Sequence, residues 1–278
     1  MDAVRRAEFG RQAFLRACAL DVAVRKPGNV SFASPGHGMH AGLFLASAAA
    51  AAGSISAAGA PVGDRIEAAV RASWSASACN TNLGIVLLCA PLLAAFERGG
   101  PLRDALAAVL QALDVQDACA AYRAIAQARP GGLGSAPEQG VQQAPTIPLL
   151  DAMALAAGRD RIAWQYVHGY ADVFERALPA FTRAGDAPRG MLAAFLELLG
   201  ALPDTHIVRK HGAAMAQSVM AQARPWRERA VRGERLDRDP AFLRWDQDLK
   251  AARVNPGTSA DLCVAAALAA DLLGAPSA

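Results

Sequence analysis

The chain has 278 residues, 53% hydrophobic and 19% charged, with a formal net charge of +3. That balance supports a large buried core and excludes global disorder, and the small positive excess lacks the interleaved aromatics of a nucleic-acid surface. Alanine is abundant and β-branched residues are few, which favours helices over sheets.

The start, Met1-Asp2-Ala3-Val4-Arg5-Arg6, leads into an amphipathic pattern and not into the apolar segment of a secretory signal. Phe9, Ala13, Phe14, Ala17, Leu20 and Val24 fall at helical spacing and predict a helix over 9–24, ended by Pro27. Residues 26–40 hold Pro27, Gly28, Pro35, Gly36 and Gly38 and predict a loop. A second helix is expected over 39–58, closed by Gly59, and a third capped by Asp64 with Ile66, Val70 and Trp74 on one face.

Residues 83–96 predict a buried helix that Pro91 kinks or breaks. Pro101 suits the first turn of the next helix, and Asp114 caps the one after. Residues 129–148, rich in Gly, Pro, Gln and Ser, predict a long irregular loop, a lid or a linker. Helical patterns then recur over 148–157, 161–178, 189–199, 211–223, 239–253 and 258–273. The expected fold is all-α, a single multi-helix globular domain over 1–278 with short polar connections. Two stretches, 41–63 and 72–96, carry no Asp, Glu, Lys or Arg, but Gly, Ser, Pro or Asn interrupts each, so buried helices are expected and no membrane span.

Five cysteines, Cys18, Cys79, Cys89, Cys119 and Cys263, match no zinc spacing and suit a reducing cytoplasm. The mixed-sign run 224–238 reads as a solvated helix face or loop, so no nucleic-acid partner is expected. The Ala-rich helices suit packing within one chain or across a homodimer.

Four polar stretches interrupt the helices, each with a structural reading beside a functional one. In Lys26-Pro27-Gly28-Asn29, Gly28 lets the backbone approach a ligand and Lys26 suits phosphate, or the stretch is a helix-ending turn. Asn80-Thr81-Asn82-Leu83-Gly84 either caps an apolar helix or places donors in a site. Asp204-Thr205-His206 with Arg209, Lys210 and His211 offers an acid/base or metal-binding pair beside cations, or a capped helix start. Asn255-Pro256-Gly257-Thr258-Ser259-Ala260-Asp261 caps the last helix, and its backbone amides also suit phosphate. His37 and His40, three apart, have no adjacent third ligand, so zinc is not expected. His168, on an amphipathic helix, reads as structural. No Walker-type loop, dinucleotide fingerprint or nucleophile elbow is present.

Taken in order, Lys26-Pro27-Gly28, His37, Asn80-Thr81-x-x-Gly84, Asp204-Thr205-His206 and Asn255-Pro256-Gly257-x-Ser259-Ala260-Asp261 resemble the triphosphoribosyl-dephospho-CoA synthase family. The resemblance spans most of the chain. It implies an all-helical fold and transfer of a triphosphoribosyl group from ATP to 3′-dephospho-CoA with release of adenine. It further implies Asp204, His206 or His37 as catalytic groups and Mg²⁺ held with the help of Asp261 and Asp204. Lys26, Gly28, Asn29, Asn80, Thr81, Asn82, Arg209, Lys210, Asn255, Gly257 and Ser259 would contact substrate or phosphate. The sequence departs from the pattern where the family has an acidic residue two positions after His37 and here Met39 stands. It departs again where Asn-Thr-His-Lys-Gly appears as Asn80-Thr81-Asn82-Leu83-Gly84. A donor such as phosphoribosyl pyrophosphate, in the making of a methanopterin-like one-carbon cofactor, is the alternative. A non-catalytic nucleotide-binding helical protein is a third.

Overall fold

The computed structural model describes residues 1–131, 140 and 143–275. All regular structure among them is helical, apart from two isolated bridges, Ser31 with Ser34 and Gly36 with Met39. The helices are α1 Ala3–Ala23, α2 Ala41–Ile55, α3 Val62–Ser77, α4 Leu83–Arg98, α5 Leu102–Gln111, α6 Val115–Ala128 and α7 Leu149–Ala156. They continue as α8 Arg161–Val167, a π-helical segment Val173–Ala177, α9 Leu178–Arg183, α10 Ala187–Ala201, α11 Thr205–His211, α12 Ala213–Val231, α13 Pro240–Ala251 and α14 Gly257–Leu273.

Aspartates start many of these helices. Asp114, Asp160, Asp186, Asp204 and Asp239 each accept backbone N–H groups of the first turn, and Asp114 shares a reciprocal box with Asp117. The expected cap at Asp64 is corrected: α3 starts two residues earlier, after Pro61, and Asp64 sits in its first turn. Pro101 precedes α5 instead of lying within it. The pattern over 161–178 is interrupted, because Gly169 and Tyr170 both adopt positive φ. Much of the expected 129–148 loop, residues 132–139 and 141–142, lies outside the described residues.

The chain divides into two compact units. The first holds Met1–Arg16, Leu43–Tyr170 and Leu268–Ala278, and the second Ala17–Gly42 and Ala171–Ala267. In the first, α3 packs on α6 so closely that a Cβ on Gly63 would lie 2.5 Å from Asp117 Cα; only glycine fits there. Its core includes Ile55, Ile66, Leu88, Leu92, Leu106 and Leu149.

Of the kink or break expected at Pro91, the break does not occur: α4 runs through it. Proline lacks an N–H, so Leu87 C=O loses its helical donor. The Tyr166 hydroxyl donates to that carbonyl at 2.6 Å, and the Tyr170 hydroxyl donates to Leu88 C=O at 3.1 Å. Both tyrosines are fully buried, and burial pushes both phenols up, so they stay donors at any working pH.

In the second unit α10 packs on α9 and α12, and α11 on α12. Phe195, Leu199, Ile207, Val219 and Phe242 are buried there. Among the described residues no single helix is long and apolar enough to cross a membrane; two bent helix pairs reach that length only together.

Candidate functional site

Three of the four polar stretches lie in the second unit, and they meet. Gly28 adopts φ +79°, and a Cβ there would lie 2.8 Å from Val254 O and 2.9 Å from Pro256 Cδ. Only a glycine lets the 26–29 turn rest on the 254–257 turn. Asn29 Nδ2 donates to Asn255 Oδ1 at 3.0 Å and ties the two turns. A Cβ on Gly257 would lie 2.9 Å from His206 Nδ1, which brings the start of α11 against the start of α14.

Asp204 organises that last contact. Its Oδ1 accepts the N–H groups of His206 and Ile207 at 2.9 and 3.1 Å, and its Oδ2 accepts Ser259 N–H and Oγ–H at 2.7 and 2.8 Å. One carboxylate therefore caps two helices, and its roughly four lone-pair sites are all taken. Burial pushes its carboxyl up, against the four donors. The expected reading of Asp204 as free base or metal ligand finds no vacant lone pair. The expected cap on α14 comes from Asp204, while Thr258 Oγ lies 3.1 Å from Thr205 Oγ.

Lys26, expected on phosphate, points inward. It is fully buried, its ammonium lies 3.0 Å from Asp21 Oδ1, and it donates to the Asp21 carbonyl. Burial pushes the Asp21 carboxyl up and the Lys26 charge opposes that. The cations nearer the surface are Arg209 and Lys210, in the last turn of α11. Partial burial, then Arg209, holds the Lys210 ammonium below its ordinary value.

His206 is pushed down to about 3 by burial and by Lys210, Arg209, His37 and His211, so it is neutral at physiological pH. Its Nε2 is buried with no hydrogen-bond partner among the described residues, as are Asn29 Oδ1 and Ser31 Oγ. His37, at φ +57°, places Nε2 at 2.7 Å from Gly28 C=O. A carbonyl only accepts, so the proton sits on Nε2, and in the neutral ring Nδ1 keeps a bare lone pair. Burial, with Lys250 and Lys210, holds His37 below its ordinary value.

Asn80, Thr81 and Asn82 lie in the first unit, where their side chains serve helices. Asn80 Oδ1 accepts Leu83 N–H, Thr81 Oγ donates to Ser47 Oγ, and Asn82 Nδ2 donates to Ser73 Oγ. Asp261 is partly exposed on α14 in the second unit. Among the described residues no three His, Cys, Asp or Glu side chains group as a metal would need.

Sequence reasoning missed Asp246 and Lys250 on α13. The fully buried Asp246 accepts from Gly28 N–H at 2.9 Å and Ser34 Oγ–H at 2.6 Å and pairs with Arg25 and Lys250. A signal existed: Asp246 falls on the stripe of Phe242, Trp245 and Leu249, where an acid is out of place.

The family model for CitG, ATP:dephospho-CoA triphosphoribosyl transferase, matches residues 7–278. Among solved structures, one from Archaeoglobus fulgidus, described provisionally as a triphosphoribosyl-dephospho-CoA synthase, aligns with TM-score 0.63 at 23% identity. That alignment covers 82% of this chain and 97% of the other and shows a shared fold. No curated protein matches the chain in sequence.

Proposed function

Because the chain belongs to the CitG family, ATP:dephospho-CoA triphosphoribosyl transferase, we propose that it transfers the triphosphoribosyl group of ATP to the ribose 2′-hydroxyl of 3′-dephospho-CoA. Adenine leaves, and the product is 2′-(5-triphosphoribosyl)-3′-dephospho-CoA. The observation that carries this reading is the meeting of the 26–29, 204–206 and 255–257 turns beside His37, Arg209 and Lys210.

In the proposed step the 2′-hydroxyl loses its proton to His37 Nδ1 and its oxygen bonds to C1′ of the ATP ribose. The C1′–N9 bond breaks, its electron pair leaves with adenine, and adenine takes a proton from solvent. His37 suits the base because it is neutral, half-buried and held in one tautomer. Arg209 and Lys210 supply positive charge for the triphosphate. His206 contributes a neutral ring at the wall by Gly257. The donor set does not fit a resident metal: Asp204 is saturated, and among the described residues Asp261 belongs to no cluster of three. Mg²⁺ is therefore proposed to arrive with ATP, as part of the substrate, largely hydrated and on the phosphates.

The test is to incubate the protein with ATP, Mg²⁺ and 3′-dephospho-CoA and to weigh the acceptor by mass spectrometry. Gain of one triphosphoribosyl group is expected; an acceptor of unchanged mass contradicts the reading. A second reading, by analogy of the chemistry, takes phosphoribosyl pyrophosphate as donor, since the chain departs from the family pattern at Met39, Asn82 and Leu83. Thermal stabilisation by that compound and none by ATP would select it. Binding of ATP with no turnover of any acceptor would leave the chain a nucleotide-binding protein.

A further inference from the structure

The geometry points to Asp246 as the positioning residue of this site: it touches no substrate, yet it fixes the 25–34 loop and, through Gly28, the tautomer of His37. This inference rests on the reading of His37 as the base.

Asp246 is fully buried on α13. Its Oδ1 accepts Gly28 N–H at 2.9 Å and lies 2.9 Å from Lys250 Nζ. Its Oδ2 accepts Ser34 Oγ–H at 2.6 Å, Arg25 Nη1 at 3.0 Å and Lys250 Nζ at 3.2 Å. Lys250 also donates to Ser34 C=O at 2.8 Å, and its methylenes lie 3.2 Å from where a Cβ on Gly36 would go. Four donors from the loop and α13 thus converge on one carboxylate, in five contacts.

Burying a carboxylate and two cations is costly, and a well-packed apolar cluster often serves stability as well. What the carboxylate adds here is a unique arrangement. Gly28 is the link: its N–H goes to Asp246 and its C=O takes the Nε2–H of His37 at 2.7 Å. In hydrolytic triads an aspartate orients its histidine directly; here one residue of backbone stands between them. With Gly28 held, the His37 proton stays on Nε2 and Nδ1 stays bare. With Gly28 released, both tautomers and other ring orientations open.

Asp246 also acts on His37 through space. The charged and titratable groups facing that ring are Lys250 and Asp246 on α13 and Lys210 on α11, with the neutral His206 beside them. Asp246 is the negative one and favours the imidazolium. Removing its charge lets the imidazole stay neutral to lower pH, so the acid limb of kcat/KM moves down even as kcat falls.

The variants are Asp246→Asn and Asp246→Asn/Lys250→Met, the second removing a buried cation together with the anion so that the fold survives. Nitrogen NMR of histidine-labelled protein, with His37 assigned from His37→Gln, reads the tautomer without any substrate. Wild type is expected to show a single Nε2-protonated form, and both variants a mixture. In the assay a misplaced base lowers kcat by roughly tenfold to a hundredfold with the KM for ATP nearly unchanged, and in Asp246→Asn the acid limb moves downward; loss of Lys250, which itself holds His37 down, opposes that shift in the double variant. An unaltered tautomer in both variants, or an unchanged kcat and pH profile in a folded variant, overturns the proposal. If wild type itself adds nothing to dephospho-CoA, the reaction reading fails, and the NMR result still decides the role of Asp246.

Discussion

Asp204 and Lys26 show how one residue's surroundings decide between two chemical uses. Both were legible as polar residues in site-like stretches, and neither partner could be read from the sequence. Ser259 lies 55 residues from Asp204, and a sequence does not say which of two helix starts a carboxylate will cap. Asp204→Asn keeps at most half of the acceptors, so a loss of about 2 to 4 kcal/mol is expected in denaturant unfolding. Lys26→Ala leaves Asp21 buried without its counter-charge, at about 3 to 5 kcal/mol, and Lys26→Met/Asp21→Leu should recover most of it. A Lys26→Ala variant of full stability would contradict the inward pairing. His206 gives a pH signature. Its folded value, about 3, is depressed from an ordinary 6.5, so the folded chain binds fewer protons between those limits. The stability it contributes is full above 6.5 and is lost as pH falls toward 3. Asp204 and Asp21, both raised by burial, act in the opposite sense, so the informative comparison is with His206→Gln. The melting temperature of that variant should fall less steeply with acid than that of wild type, and parallel curves would refute the assignment.

At the scale of elements, helix starts were easy to read and helix interruptions were not. The cap at Asp114 and the long α14 follow from local patterns that need no tertiary partner. Pro91 is the contrary case. Locally it is a breaker, and the helix survives because Tyr166, 79 residues from Leu87, replaces the missing donor. Tyr166→Phe should therefore cost about 1 to 3 kcal/mol, the price of an orphaned buried carbonyl. Tyr170→Phe should cost less, because Leu88 lies four residues before Leu92, whose N–H is present in α4, and a Tyr166→Phe variant as stable as wild type would show the Leu87 carbonyl to be satisfied otherwise. The division of 161–178 carried a faint mark, Gly169, but the left-handed Tyr170 is held by full burial and its hydroxyl on Leu88. No helical periodicity reveals that.

For the whole molecule, the all-helical class and the family follow from composition and from five short motifs in order. The candidate site was legible only in part. The 26–29, 204–206 and 255–257 stretches meet in one unit, while Asn80 to Asn82 belong to the other and are engaged in its helix contacts. Asp246, which holds the first stretch in place, lies in none of the motifs because its work is to accept hydrogen bonds from backbone and loop. The central claim joins that geometry to a reaction, and release of adenine measures it most directly. With ATP, Mg²⁺ and 3′-dephospho-CoA, wild type is expected to free one adenine per acceptor modified, and His37→Gln to slow release by roughly a hundredfold or more while remaining folded. Release by His37→Gln at the wild-type rate, or none from wild type, would contradict the account.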